Sequence, residues 1–181
     1  MASKSDSILA ETARYYSAKI IEHGDSPQGV DWNGIESQYT RFSELCRVID
    51  LPCGFSINDL GCGYGALLDY FIDRKVDCRY YGYDVSDEMV VAATNRHKSV
   101  PGAFFSIADE PTETADFGIA SGIFNVKQCR PEEEWKAHIV QTLDKMAATS
   151  RRGFAFNCLT SYSDPPKMRN DLFYADPCWL F

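Results

Sequence analysis

The sequence predicts an α/β protein: a doubly wound, mostly parallel sheet with helices on both faces. Three observations carry this. Five short apolar runs, at 55–60, 79–83, 103–107, 117–121 and 153–159, have strand length, and helical patterns follow the first, second and fourth. The first run leads straight into a loop with glycine at 61, 63 and 65. The 181 residues are 45% apolar and 13% aromatic, enough to build a buried core in one domain.

Taken in order, Ile8, Tyr15, Tyr16 and Ile20 stand at loosely helical spacing and predict a helix over about 6–22, broken by the turn-rich 23–29. Ile35, Tyr39, Phe42, Leu45, Cys46 and Ile49 recur at i, i+4, i+7, i+10, i+11 and i+14, a continuous apolar stripe ending near Pro52 and Gly54. On this reading Gln38 and Arg41 lie off that stripe. After the glycine loop, Leu67, Leu68, Phe71 and Ile72 share one helix face. Ser86 stands as an N-cap with Asp87 and Glu88 in the first turn, where the helix dipole favours anions. Pro131 and the acids at 132–134 open a further helix whose stripe is Trp135, Ile139, Leu143 and Met146, ended by Arg151, Arg152 and Gly153. Residues 160–181 carry the turn Ser163, Asp164, Pro165, Pro166 and finish on Trp179, Leu180 and Phe181, as though cut within an amphipathic element.

Composition excludes several classes. With 18 basic and 26 acidic residues the net charge is −8, which disfavours bulk nucleic-acid binding, and the largest basic patch is Arg151 and Arg152. No apolar run approaches the roughly 18–20 residues of a membrane span, and the first nine residues lack the apolar core of a secretory signal. Seven cysteines, an odd number with no CxxC spacing, argue against a disulfide framework or a zinc site and for a reducing, cytoplasmic setting. His23, His97 and His138 have no spacing that makes a ligand set, and each is expected on the surface or in the core.

The chemistry sits in Asn58-Asp59-Leu60-Gly61-Cys62-Gly63-Tyr64-Gly65. On doubly wound sheets ligands bind outside the carboxyl ends of the strands, and a side chain at Gly61 or Gly63 would hold a ligand off the backbone. Gly61, Gly63 and Ala66 also satisfy the dinucleotide pattern, so a nicotinamide-dependent oxidoreductase is a rival reading. Three acids weigh against it. Asp59 can face a cationic amine at the first strand's tip. Asp84, at the second strand's tip, can accept both hydroxyls of a ribose. Asp109 follows the third strand, placed for an exocyclic adenine amine. Together they fit a ligand with an amine, a ribose and adenine, and no phosphate.

This set resembles the class I S-adenosylmethionine-dependent methyltransferases over about residues 35–159, with Val85, Ser86, Met89 and the 120–125 segment as further matches. The resemblance implies an enzyme that moves the sulfonium methyl of S-adenosylmethionine to a small-molecule acceptor, with no metal. Asp59 and the glycines would hold the methionine part, with Arg41 pairing its carboxylate. Asp84 would hold the ribose, Ala108 and Asp109 the adenine, with Met89 packed on either. Residues 121–125 would line the methyl-transfer end. The implied binding set is Arg41, Asp59, Gly61, Cys62, Gly63, Tyr64, Gly65, Asp84, Val85, Met89, Ala108, Asp109, Ser121, Gly122 and Ile123. No general base stands out. Residues 1–34 would form a helical lid and 35–181 the cofactor-binding domain. The family usually completes its sheet with a final strand pair, one antiparallel, and only 22 residues follow Leu159, too few for a helix and two strands. That shortfall keeps open a second rival, a methyltransferase-like domain that binds cofactor without catalysis.

Overall fold

The computed structural model describes residues 4–180; Met1 to Ser3 and Phe181, on which the readings of the two termini partly fall, lie outside them. The chain runs α1 (Lys4–His23), a 3-10 turn (Pro27–Val30), α2 (Ile35–Leu45), β1 (Phe55–Leu60), α3 (Ala66–Asp73), β2 (Cys78–Asp84), α4 (Asp87–Arg96), β3 (Ala103–Ile107), β4 (Ala115–Ala120), α5 (Glu132–Thr149) and β5 (Ser150–Phe156). The tail adds β6 (Leu159–Thr160), a 3-10 turn (Pro165–Lys167), β7 (Tyr174–Ala175) and α6 (Pro177–Leu180).

The main sheet has strand order β3-β2-β1-β4-β5, and every neighbouring pair is parallel. Chain order therefore reverses between β1 and β4, and the loops after Leu60 and Ala120, which are register partners, leave the sheet side by side. Alternation along the strands sorts side chains to two faces. Phe55, Ile57, Tyr80, Phe117 and Ile119 pack against Phe42 and Leu45 of α2 and Leu67, Leu68 and Phe71 of α3. Leu60, Tyr83 and Ala120 face the other way, onto Met146 of α5. The doubly wound architecture is as the sequence predicts. Ser86 caps α4 as expected, its Oγ accepting the Met89 N–H at 3.3 Å.

Several local expectations are corrected. Ile35 and Ile72 are 58% and 44% exposed. In α2 the buried row is Gln38, Phe42 and Leu45, because docking rotates Ile35 off the contact face. In α3, Leu67, Leu68 and Phe71 already cover the sheet, and Ile72 lies one step round the helix from Phe71. Arg151 and Arg152 do not close α5 but lie in β5, pairing outward with Asp116 at 3.6 Å and Asp50 at 2.7 Å. Between β3 and β4 there is only a loop, so Phe104 stays half-exposed, stacked on Tyr81.

The tail does not extend the main sheet. Among the described residues no strand pairs with the outer edge of β5, while β6 and β7 pair with each other. The tail instead folds over the β4–α5 connection: Val126 bridges Leu172, and the Phe173 N–H donates to the Asn125 carbonyl at 2.8 Å. Phe173, Ala175 and Trp179 join Phe124, Trp135, Ile139 and Ile8 of α1 in one apolar cluster. Arg130 ties the same region to α1, its Nη2 lying 2.6 Å from Glu11.

Candidate active site

The glycine loop takes its shape from three left-handed residues, Gly61, Gly63 and Gly65, at φ of 74°, 55° and 87°. At Gly61 the need is also steric, since a Cβ there would lie 2.1 Å from Cγ2 of Ile123. The amides of Gly61 and Cys62 both donate to the Tyr83 carbonyl, at 2.8 and 3.0 Å, which binds the loop to the tip of β2.

Asp84 stands at that tip, 8% exposed. The Gly63 N–H donates to its Oδ2 and the Ser86 N–H to its Oδ1, both at 2.9 Å. Each carboxylate oxygen keeps a second lone-pair direction, so the plane is fixed while two acceptors remain for a vicinal diol. Burial raises its pKa, and the N–H groups of Ser86, Gly63 and Val85 oppose that shift. Asp59 is 3% exposed and accepts from the Tyr80 hydroxyl. Burial pushes its pKa up to about 7, Tyr80 opposes the shift, and the nearby Asp84 charge adds to it.

Fourteen of the fifteen residues in the implied set line one cavity of about 360 Å³. Gly65 does not, because it faces His97, whose Nε2 lies 3.1 Å from the Gly65 carbonyl. Arg41 lies at the rim, its guanidinium 4.6 Å from the centre of the Trp32 ring and its Nη1 donating to the Ser37 carbonyl at 3.0 Å. Asp109 also lines the cavity, but its side chain is 42% exposed and 3.5 Å from Nζ of Lys145. Ser121 Oγ is buried with no partner among the described residues.

The cavity also takes in residues outside the implied binding set. Gln38 points inward and accepts from the Tyr64 hydroxyl at 3.3 Å. Its position four residues before Phe42, in the row that becomes buried, was the available signal. Tyr16 and Trp32 line the wall, and Trp32 comes within 3.2 Å of a Cβ placed on Gly122. Burial drives the Tyr16 pKa upward, with Asp31, Tyr15 and Asp84 adding to it. Asn125 lines the same cavity and accepts the Leu159 N–H at 3.1 Å. His138 and Thr142 of α5 and Leu159, Arg169 and Leu172 of the tail complete the wall. No local pattern marks those tail residues. Among the described residues no cluster of His, Cys, Asp and Glu could hold a metal.

A cavity at the switch point of a parallel sheet, floored by a glycine loop and a carboxylate held by two backbone amides, defines an α/β protein built to take a nucleoside. The methyltransferase-domain family profile matches residues 58–148. A protein of Mycobacterium tuberculosis (strain ATCC 25618 / H37Rv) named as a methyltransferase is 56% identical over 135 residues, 75% of this chain and 81% of the relative. Magnesium protoporphyrin IX methyltransferase of Synechocystis PCC 6803, solved with bound S-adenosylmethionine, shares the fold with a TM-score of 0.65 at 16% identity, over 99% of this chain and 83% of that one. The DhpI–SAM–HEP complex gives a TM-score of 0.64 at 16% identity, over 99% and 87%. The chain belongs to the class I S-adenosylmethionine-dependent methyltransferase family.

Proposed function

We propose that this chain holds S-adenosylmethionine in the cavity through the fourteen residues of the implied set that line it, and passes its methyl group to a small molecule. The observation that carries the reading is Asp84, whose two oxygens are oriented by Gly63 and Ser86 and still offer one acceptor each. The donor set fits the cofactor at other points too. Ser121 Oγ is a buried hydroxyl on the cavity wall with no partner among the described residues, and at Gly61 and Gly63 backbone takes the place of side chains.

In this assignment Asp59 faces the methionine ammonium and Arg41 the carboxylate. Gly61, Cys62, Gly63 and Tyr64 form the bed beneath them. Asp84 accepts from the ribose, and Val85, Met89, Ala108 and Asp109 bound the base. Ser121, Gly122 and Ile123 border the methyl end. When bound, the cofactor supplies a methyl carbon already activated by a sulfonium, so the residues around it have mainly to align and to exclude water. Alignment of this kind contributes up to about 7–11 kcal/mol in favourable cases.

α1 serves as the lid over this site. Leu9 from that helix, with Val126, Leu159 and Leu172, gives the acceptor side an apolar wall, which favours an acceptor with an apolar body. No described helix is long and apolar enough to cross a membrane, and seven free cysteines accord with a reducing cytoplasmic setting.

Calorimetric titration with S-adenosylmethionine, S-adenosylhomocysteine and NAD tests the reading. The two sulfur ligands should bind at micromolar level and NAD should not. Asp84→Ala removes two charge-assisted hydrogen bonds, each about 1.5–3 kcal/mol, and should weaken binding about a hundredfold or more. Binding of NAD alone would assign an oxidoreductase instead. Binding without turnover across an acceptor panel would favour the non-catalytic domain.

A further inference from the structure

Helix α5 presents Trp135, His138 and Thr142, at i, i+3 and i+7, to the cavity that Ala108 and Asp109 also line. Two of their polar groups are already committed. The Trp135 indole N–H donates to the Phe124 carbonyl at 3.0 Å, and the Thr142 hydroxyl donates to the His138 carbonyl at 2.9 Å. The His138 ring nitrogens have no partner among the described residues, while the ring itself is braced by Trp135, with centroids 5.3 Å apart.

His138 feels both Lys145, which lowers its pKa, and Asp109, which raises it, and those two groups are 3.5 Å apart. Burial is the larger influence and also pushes the pKa down, so the imidazole is neutral near pH 7 and offers one N–H and one lone pair. Asp109, the acid whose charge acts on the ring, shares its carboxylate with Lys145 from the same helix.

Resting on the cofactor assignment above, we propose that His138 is a specificity residue that reads the amine edge of the adenine base. Asp84 anchors the ribose at the tip of β2, and the base then extends past Ala108 and Asp109 toward α5. The free imidazole lone pair accepts from the exocyclic amine there, beside whatever Asp109 contributes. Trp135 fixes the ring in advance, so little side-chain freedom is lost on binding.

The test compares S-adenosylhomocysteine with its analogue carrying unsubstituted purine, which lacks the 6-amino group, on the full chain by calorimetry. His138→Phe keeps a ring against Trp135 and removes both nitrogens; His138→Gln restores a donor and an acceptor. The wild type should prefer the adenine ligand about tenfold, as one hydrogen bond predicts. The Phe variant should reduce that ratio threefold or more with the purine analogue bound nearly as before, and the Gln variant should recover part of it. An unchanged ratio in His138→Phe, or an equal loss for both ligands, overturns the proposal, because the ring would then be packing alone. A wild type that binds neither ligand overturns the cofactor assignment itself, an outcome distinct from a wild type that binds both without preference, which overturns only the role of His138.

Discussion

Asp59→Asn exchanges a buried acid for a near-isosteric amide, and its effect on stability should depend on pH. In the folded protein the Asp59 pKa is pushed up to about 7, chiefly by burial, from an ordinary 3.8. Between these values the unfolded chain has released the proton and the native chain has kept it. Native stability therefore falls as pH rises, by about 1.4 kcal/mol per unit, and flattens above the folded pKa. From pH 5 to 7 the wild type should lose about 2.3 kcal/mol relative to Asp59→Asn, which has no proton to release, the slope having halved by the time pH reaches the folded pKa. For a chain of this length that corresponds to a shift of about 5–9 °C in the melting difference. Urea unfolding of both proteins at half-unit steps from pH 5 to 8 measures it. Because the other titrating groups are common to both, the difference isolates Asp59. Parallel stability curves for the two proteins would refute the reasoning, since they would mean that Asp59 is already ionised in the fold. Ligand binding carries the same signature: affinity for S-adenosylhomocysteine should rise with pH through about 7 in the wild type, as the ionised acid meets the ammonium, and be flat in the variant.

Gly61→Ala should cost about 2–5 kcal/mol, the sum of left-handed strain of about 1–2 and crowding against Ile123 of about 1–3. Gly102→Ala, at a φ of 79° with no atom nearer than the Cys78 carbonyl oxygen at 3.9 Å, should show the strain alone; equal losses in urea unfolding would remove the crowding argument. Asp116→Ala breaks the bonds at 2.8 Å that its Oδ2 accepts from the Ser56 N–H and hydroxyl, tying β4 to β1, and should cost about 1–3 kcal/mol at pH 7. Those bonds hold the Asp116 pKa below its ordinary 3.8, so the deficit should shrink as pH falls through the acid range, and a deficit of constant size down to pH 2 would contradict this. Tyr16→Phe removes a hydroxyl with no hydrogen-bond partner among the described residues; stability should change by less than about 0.5 kcal/mol while affinity for S-adenosylhomocysteine drops severalfold. A variant that melts differently but binds equally would make Tyr16 a packing residue.

Much of the strand ladder and the floor of the site was legible before the fold. Strands β1 and β3 were read at their observed ends, since a short apolar run bounded by turn residues is a local signal. The Ser86 cap and the glycine loop also depend on residues only a few positions apart. Strand β5 was read three residues late, because Arg151 and Arg152 look like a helix end until Asp50 and Asp116 arrive from elsewhere in the chain.

What the sequence determined by itself was the alternation of strand and helix, the left-handed loop at Gly61 to Gly65, and Asp84 at a strand tip, all set by periodicity and backbone sterics over short spans. What only the tertiary structure decided was the rest of the cavity wall. Gln38 turned inward because docking chose which row of α2 would be buried, and His138 reached the cavity because α5 lies over β4 and β5 with no helix between β3 and β4 to stand in its way. The tail lined the acceptor side once Asn125 and Leu172 had somewhere to pair. Such contacts join residues tens of positions apart, among them Glu11 and Arg130, separated by 119. Packing, which is non-directional and settled collectively, chooses among the faces that local patterning leaves equivalent.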